Sequence, residues 1–394
     1  MQWSRRLLSR LPGSRATAAV AVVGVLGVVS CVSLTPPRGS GSVPVVGGRY
    51  KNGREQIVRI ALATAAREGP EVSSGGGPLV IRPEANSPFV VWNGKRYRGE
   101  LVITATDSGR LVVNRLPMDD YLRGVVGPEI GNRTVAEFAA IQAQAVAART
   151  YAYKRLIDAQ HFDLYATVQD QVYGGVDAEN RLADSAIITT ADIVVTYQGQ
   201  PIRTPYSSTC GGSTAGVSEV WYKEPDEPYL RPVSDRIPGS DRFYCDPSPR
   251  FSWTQSFDGP GLRAVMEKYL AVYTNAPKTG VGRITDIREL GKTPSGRVAA
   301  LEVRTDSGSY TLRANDIRFV LRDPKGAILN STNFNFTKEQ SGGEISRLSV
   351  SGRGYGHGIG MCQWGAIGRA RAGQDYRTIL ETYYRGTTVG RIAG

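Results

Sequence analysis

The sequence predicts an α+β fold with a mixed antiparallel β-rich core, and three observations carry that expectation. Short β-branched runs, punctuated by Asn-Gly and Asp-Ser-Gly turn signals, fill much of the chain. One long Ala-rich helical segment interrupts them, and strands and helices do not alternate as a doubly wound parallel sheet requires. Composition agrees: 46 glycines, and 19 tyrosines against 9 phenylalanines in 394 residues, suit a loop-rich protein better than a helical bundle.

Residues 1–30 read as a separate unit. Arg5, Arg6, Arg10 and Arg15 precede an uncharged run from Ala16 to Val29, and Cys31 follows Ser30. A basic start, a short apolar stretch and a small-residue junction describe an export signal. The run falls short of the roughly 20 apolar residues of a spanning helix. Val28-Val29-Ser30-Cys31 resembles a bacterial lipobox, which makes Cys31 the candidate lipidation site; an uncleaved anchor and plain secretion stay open. Residues 31–55 are rich in Pro, Gly and Ser and read as a tether. The folded domain is expected over 56–394, with a β-rich subdomain a candidate at about 280–345.

With 48 basic and 36 acidic side chains the net charge is +12, and losing the four arginines of residues 1–30 leaves an excess of eight. The charge alone leaves nucleic acid, anionic lipid and anionic wall polymer open as partners. No nucleic-acid partner is expected from the sequence as a whole. Two histidines and four cysteines exclude a multi-finger zinc protein and a disulfide-dense scaffold. In an oxidising compartment Cys210 and Cys245 are candidates to pair, a link typically worth ~2–4 kcal/mol. Two reduced buried thiols are the alternative, and Cys362 would be left over.

Along the domain, IVRIALA, LVIRP, FVVW, ELVITAT and LVVNRL read as strands. Thr134 and Glu137 then form a capping box ahead of a long helix with Phe138, Ile141, Ala145, Ala148 and Ala152 on one face. Strands return at DIVVTYQGQPIRTPYSST, GRITDIREL, RVAALEVRT and SYTLRA, the last two a hairpin across Asp306-Ser307-Gly308. A helix over Gly261–Leu270 and two short C-terminal helices complete the pattern.

Two segments carry candidate chemistry. In Leu116–Tyr153, Glu129 follows Gly127-Pro128 and is expected in a turn just ahead of the capped helix. Apolar Val125, Val126 and Ile130 would favour its protonated form, as a general acid needs; a solvated loop glutamate is the plain alternative. In Gly352–Val389, a glycine-spaced loop presents Tyr355 and His357, then Cys362, Gln363 and Trp364 lead into a helix. A Cys362–His357 thiol enzyme lacks an orienting carboxylate on this segment. Tyr355, His357, Gln363 and Trp364 make better sense as a glycan-binding set that stacks on and hydrogen-bonds to sugars. A structural histidine at 357 is the competing reading.

From Gln56 to Val389, LPMDDYLRGVVGPEI…AIQAQAVAARTYAY, YSSTCGGSTAGVSEVW…PYLRPV and GRGYGHGIGMCQWGAIGRARAG…ILETYYRGTTV resemble, in order, the SpoIID/LytB family of stage II sporulation protein D and the amidase enhancer. The resemblance implies lytic transglycosylation of peptidoglycan glycan strands, especially denuded ones, with the family's catalytic glutamate falling on Glu129. The alternative is a non-catalytic, glycan-binding activator of an N-acetylmuramoyl-L-alanine amidase. The implied partners are glycan strands, a cell-wall amidase, and the membrane through an N-terminal lipid or anchor. Zinc-bearing relatives carry thiol and imidazole ligands where this chain has Tyr165, Gln169 and Asp170, so neither metal nor cofactor is expected. Ser207 replaces a frequent histidine, and Cys362 a frequent serine.

Overall fold

The computed structural model describes residues 50–392 apart from 52, 73–76 and 157–160. The export segment, Cys31 and most of the tether lie outside the described residues. The α+β expectation holds, with two large hydrophobic cores and a small cluster of Ala61, Leu111 and Val113 among the described residues.

A five-stranded sheet comes first, in the order Leu79–Ile81, Glu100–Thr106, Gly109–Pro117, Ile57–Ala66 and Leu164–Tyr165. Neighbours are antiparallel except the last pair, which is parallel. The Asn93-Gly94 signal makes a tight hairpin between Val90–Trp92 and Lys95–Tyr97, with φ of 48° and 72° as a type I′ turn requires.

Sheet and helices meet at the long helix, Phe138–Arg155. Its start is as expected: Glu137 accepts the Thr134 N–H at 2.8 Å, and a short 3-10 turn, Val135–Glu137, precedes the helix. The one-face expectation is too narrow. From Ala140 to Tyr153 all residues but Gln142 are buried, because helices Met118–Ile130, Arg181–Thr189, Gln363–Arg371 and Tyr376–Tyr383 all pack on it. Small alanines allow that close approach. Arg149 is buried with its charge answered by the Thr190 carbonyl at 2.8 Å, the Ile187 carbonyl at 3.2 Å and Asp119 at 3.4 Å.

The second core runs from Trp253 to Val350. It is closed by the sheet Ser252–Asp258, Glu344–Arg353, Phe334–Ser341, and by the meander Ile284–Glu289, Ala300–Thr305, Gly308–Arg313. Helix Gly259–Tyr273 covers it, capped by Asp258 accepting the Gly261 N–H, with Leu262, Met266 and Leu270 inward at i, i+4, i+8. Within the first core a short parallel pair, Tyr206–Ser207 with Met361–Cys362, sets the last of the three sequence motifs against the second.

Candidate active site at the end of the Glu129 helix

Glu129 does not lie in a turn. It occupies the last turn of helix Met118–Ile130, with Pro128 inside the helix. Proline lacks the N–H that would bond the carbonyl four residues back. Here that carbonyl, Gly124 O, accepts the Gly174 N–H at 2.9 Å instead, so the helix continues through the proline. The helix stops at Gly131, whose φ of 75° suits glycine, with its N–H on the Gly127 carbonyl.

The neighbouring chain reaches Glu129 because the helix is bare on one side. A Cβ on Gly124 would lie 2.5 Å from the Tyr173 ring, and one on Gly127 would lie 2.6 Å from the Asn180 amide. With neither present, the segment after Asp170 lies flat on the helix, and the Val172 N–H donates to Glu129 Oε1 at 2.8 Å. Gln171 fastens that segment, accepting from the Tyr121 hydroxyl and donating to the Tyr206 hydroxyl, both at 2.9 Å. Glu129 is 1% exposed, and Val125, Val126 and Ile130 on the same helix are buried too.

Gln363, from the glycine-rich motif, arrives from the other side. Its Nε2 donates to the Glu129 backbone carbonyl at 2.9 Å and to Gln144 Oε1 at 3.2 Å. Gln144 Nε2 and Gln363 Oε1 are buried without a hydrogen-bond partner among the described residues. Trp364 is half-buried beneath the Arg133 guanidinium, 4.9 Å from the ring centre, and Arg133 Nε donates to the Ile130 carbonyl at 2.7 Å. The second carboxylate of this region, Glu137, is buried but held below the usual range, because the Thr134 N–H and Arg371 outweigh the cost of its desolvation. It stays charged and tied.

The expected glycan-binding set therefore divides. Gln363 and Trp364 join the Glu129 helix end. His357 does not: it is 1% exposed, its ring 5.2 Å from that of Trp221, and its Nδ1 accepts the Ile359 N–H at 3.0 Å. Burial, then Arg318, hold the imidazole down to about 3, so it is neutral and structural. Tyr355 is half-buried under Arg250, 4.3 Å from its ring centre, and bridges to the backbone of Thr209. A concavity of about 640 Å³ beside it is lined by Trp253, Thr254, Phe334, Gly352 and Arg353, and Glu129 is not in its wall.

Cys210 and Cys245, the candidates to pair, are free thiols with sulfurs 3.7 Å apart rather than a disulfide, and Cys362 and Asp235 lie in the same buried space. Asp170, in the place of a zinc ligand in some relatives, accepts the Tyr151 hydroxyl and the Tyr165 N–H, each at 2.8 Å, and pairs with Arg155. Gln169 is exposed, so the set does not fit zinc. Gln144, Val172 and Arg133 escaped the sequence reading. Only Gln144 carried a signal, as a polar residue in an alanine-rich helix.

The chain matches the family model described as Stage II sporulation protein over residues 106–197, and a domain of unknown function (DUF8618) over 215–360. It is 33% identical over 300 residues to an uncharacterized protein of Brachyspira hyodysenteriae, covering 75% of this chain and 73% of that protein. It is 31% identical over 344 residues to the amidase enhancer of Bacillus subtilis, covering 81% of this chain but 48% of the enhancer. To stage II sporulation protein D of Bacillus subtilis it is 29% identical over 294 residues, 70% of this chain and 75% of the relative.

Proposed function

The chain belongs to the stage II sporulation protein D family, and from that premise we propose that it cleaves peptidoglycan glycan strands by lytic transglycosylation at Glu129. The family carries a cell-wall role. What supports the finer reading is one juxtaposition: Gln363 grips the backbone of Glu129 itself, and two buried amide atoms beside that turn have no partner. Unpartnered buried polar atoms call for an explanation, and sugar hydroxyls are the groups that satisfy both donors and acceptors.

The chemistry needs one acid. Glu129 protonates the bridging oxygen as the bond from the muramyl anomeric carbon to that oxygen breaks. The muramyl 6-hydroxyl then attacks the same carbon and returns its proton to the Glu129 carboxylate, closing a 1,6-anhydro ring. Water-using glycosidases require a second carboxylate across the bond. Here the nucleophile belongs to the substrate, and Glu137, locked as an anion, is not asked to act. Burial works toward a protonated Glu129 and the Val172 N–H works against it. The half-buried Trp364, tied through Arg133 to the same helix end, offers a stacking surface for a ring. In this reading the chain is exported and held to the membrane surface through Cys31.

A second reading, a glycan-binding activator of an N-acetylmuramoyl-L-alanine amidase, draws on the 1% exposure of Glu129 and on the amidase-enhancer relative. One experiment separates the two. Denuded glycan strands are incubated with the wild type and with Glu129→Gln, and 1,6-anhydromuramyl ends are counted by mass spectrometry. The variant should lose ~10²–10⁴-fold in rate and keep its glycan affinity within a few-fold. An unchanged rate assigns the acid elsewhere. An inactive wild type that stimulates an amidase, with Glu129→Gln equally stimulating, selects the activator.

A further inference from the structure

Three cysteines that this reaction does not use converge on one carboxylate. Cys210 follows the strand Tyr206–Ser207, Cys362 ends the strand paired with it, and Asp235 and Cys245 come from the segment between the short helix Val217–Val220 and the strand Ser252–Asp258. All four are buried, and their candidate ligand atoms lie within 4.8 Å of one another. Cys210 Sγ is 3.7 Å from Cys245 Sγ and 3.3 Å from Asp235 Oδ2. Around a tetrahedral zinc with bonds of about 2.3 Å to sulfur and 2.0–2.2 Å to oxygen, such edges measure about 3.8 Å and 3.5 Å. A disulfide needs its sulfurs at about 2.05 Å.

The surroundings are arranged for ligands. Cys362 Sγ accepts two backbone N–H groups, from Cys210 at 3.1 Å and Gly365 at 3.3 Å, contacts of the kind that orient a ligating sulfur. Asp235 turns one oxygen outward, where Oδ1 accepts from Tyr383 at 2.6 Å and Arg369 at 3.1 Å, and leaves Oδ2 facing the sulfurs. Outer partners of this kind orient a ligating carboxylate. Even the helix makes room: a Cβ on Gly365 would lie 2.0 Å from Asp235 Oδ2.

We propose that Cys210, Cys245, Cys362 and Asp235 form a structural zinc site. Four protein ligands and complete burial leave no open position for catalysis. The ion cross-links three segments distant in sequence, and Cys362 is the residue before Gln363, so the site anchors the strand end that holds Glu129. The expectation of a metal-free chain rested on Tyr165, Gln169 and Asp170, a different place.

The test uses the full chain, purified without chelator or histidine tag. Elemental analysis should give one zinc per chain, and Cys210, Cys245 and Cys362 should resist alkylation until a chelator is added in denaturant. Cobalt(II) exchanged into the site should give the visible d–d and near-ultraviolet thiolate bands of a tetrahedral sulfur-rich centre. Asp235→Asn should weaken cobalt binding at least ~10-fold with those bands shifted, whereas Glu129→Gln should leave them unchanged. The wild-type measurements decide the matter even if the Asp235 variant fails to fold. A reduced wild-type chain that takes up neither zinc nor cobalt overturns the proposal. So does isolation of the native chain with Cys210 and Cys245 joined as a disulfide.

Discussion

Acidification tests the assignment of His357 as a neutral structural residue. The ring is fully buried and faces the guanidinium groups of Arg318, Arg297 and Arg203; burial is the largest influence, and a bond to the Tyr206 backbone opposes it. With the folded-state value at about 3 against 6.5 for a free imidazole, the unfolded chain binds a proton throughout that window and the native chain does not. Stability from a depressed group is complete above the unfolded value and is lost as pH falls. The slope is about 1.4 kcal/mol per pH unit, on the order of 5 kcal/mol over the whole window. Asp235, pushed up to about 6 chiefly by burial, contributes with the opposite sign in the metal-free chain. A comparison of two chains cancels that contribution. Urea unfolding of the wild type and of His357→Gln, at pH values from about 6.5 to 4.5, should show the wild type losing about 2 kcal/mol relative to the variant. The variant's packing defect shifts the intercept, not this slope. Parallel profiles would mean that native His357 takes up its proton freely, and the structural assignment would fall.

Gly365→Ala adds a good helix former to helix Gln363–Arg371, a change worth ~1 kcal/mol in favour at an open site. Here the new methyl meets Asp235 at 2.0 Å and the Tyr383 hydroxyl at 2.1 Å, so a net loss on the order of 3 kcal/mol is expected in urea unfolding. Unchanged stability would show room that the packing denies. For the tether, Cys31→Ser should abolish incorporation of radiolabelled palmitate and release the chain from membranes. Label that survives the substitution would sink the lipid anchor.

Most strands were legible because their signals are local. Asn93-Gly94 and Asp306-Ser307-Gly308 specify turns whatever surrounds them, and both hairpins stand where those turns put them. The Glu129 helix was not legible, because Gly127-Pro128 reads as a break until Gly174 is known to take the orphaned carbonyl 50 residues away. The burial of the long helix was underestimated for a related reason: alanine shows no preferred face, and only the four packed helices reveal that every face is used. In the glycine-rich motif, sequence proximity grouped His357 with Gln363, while the parallel strand pair sends one toward Trp221 and the other toward Glu129. Asp235 carried no mark at all, since nothing in its own segment announces three thiols.

The bond from Gln363 to the Glu129 backbone spans 234 residues, and that separation has a consequence in time. A ribosome adding ~5–20 residues per second makes Glu129 roughly 10–50 s before it makes Gln363. Throughout that interval the growing chain holds Glu129 but not the side chain that grips its backbone carbonyl. Any chain cut short before Gln363 stays in that condition. On the role proposed for Glu129, the order of manufacture works as a safety catch, and the site is armed only once Gln363 has been made.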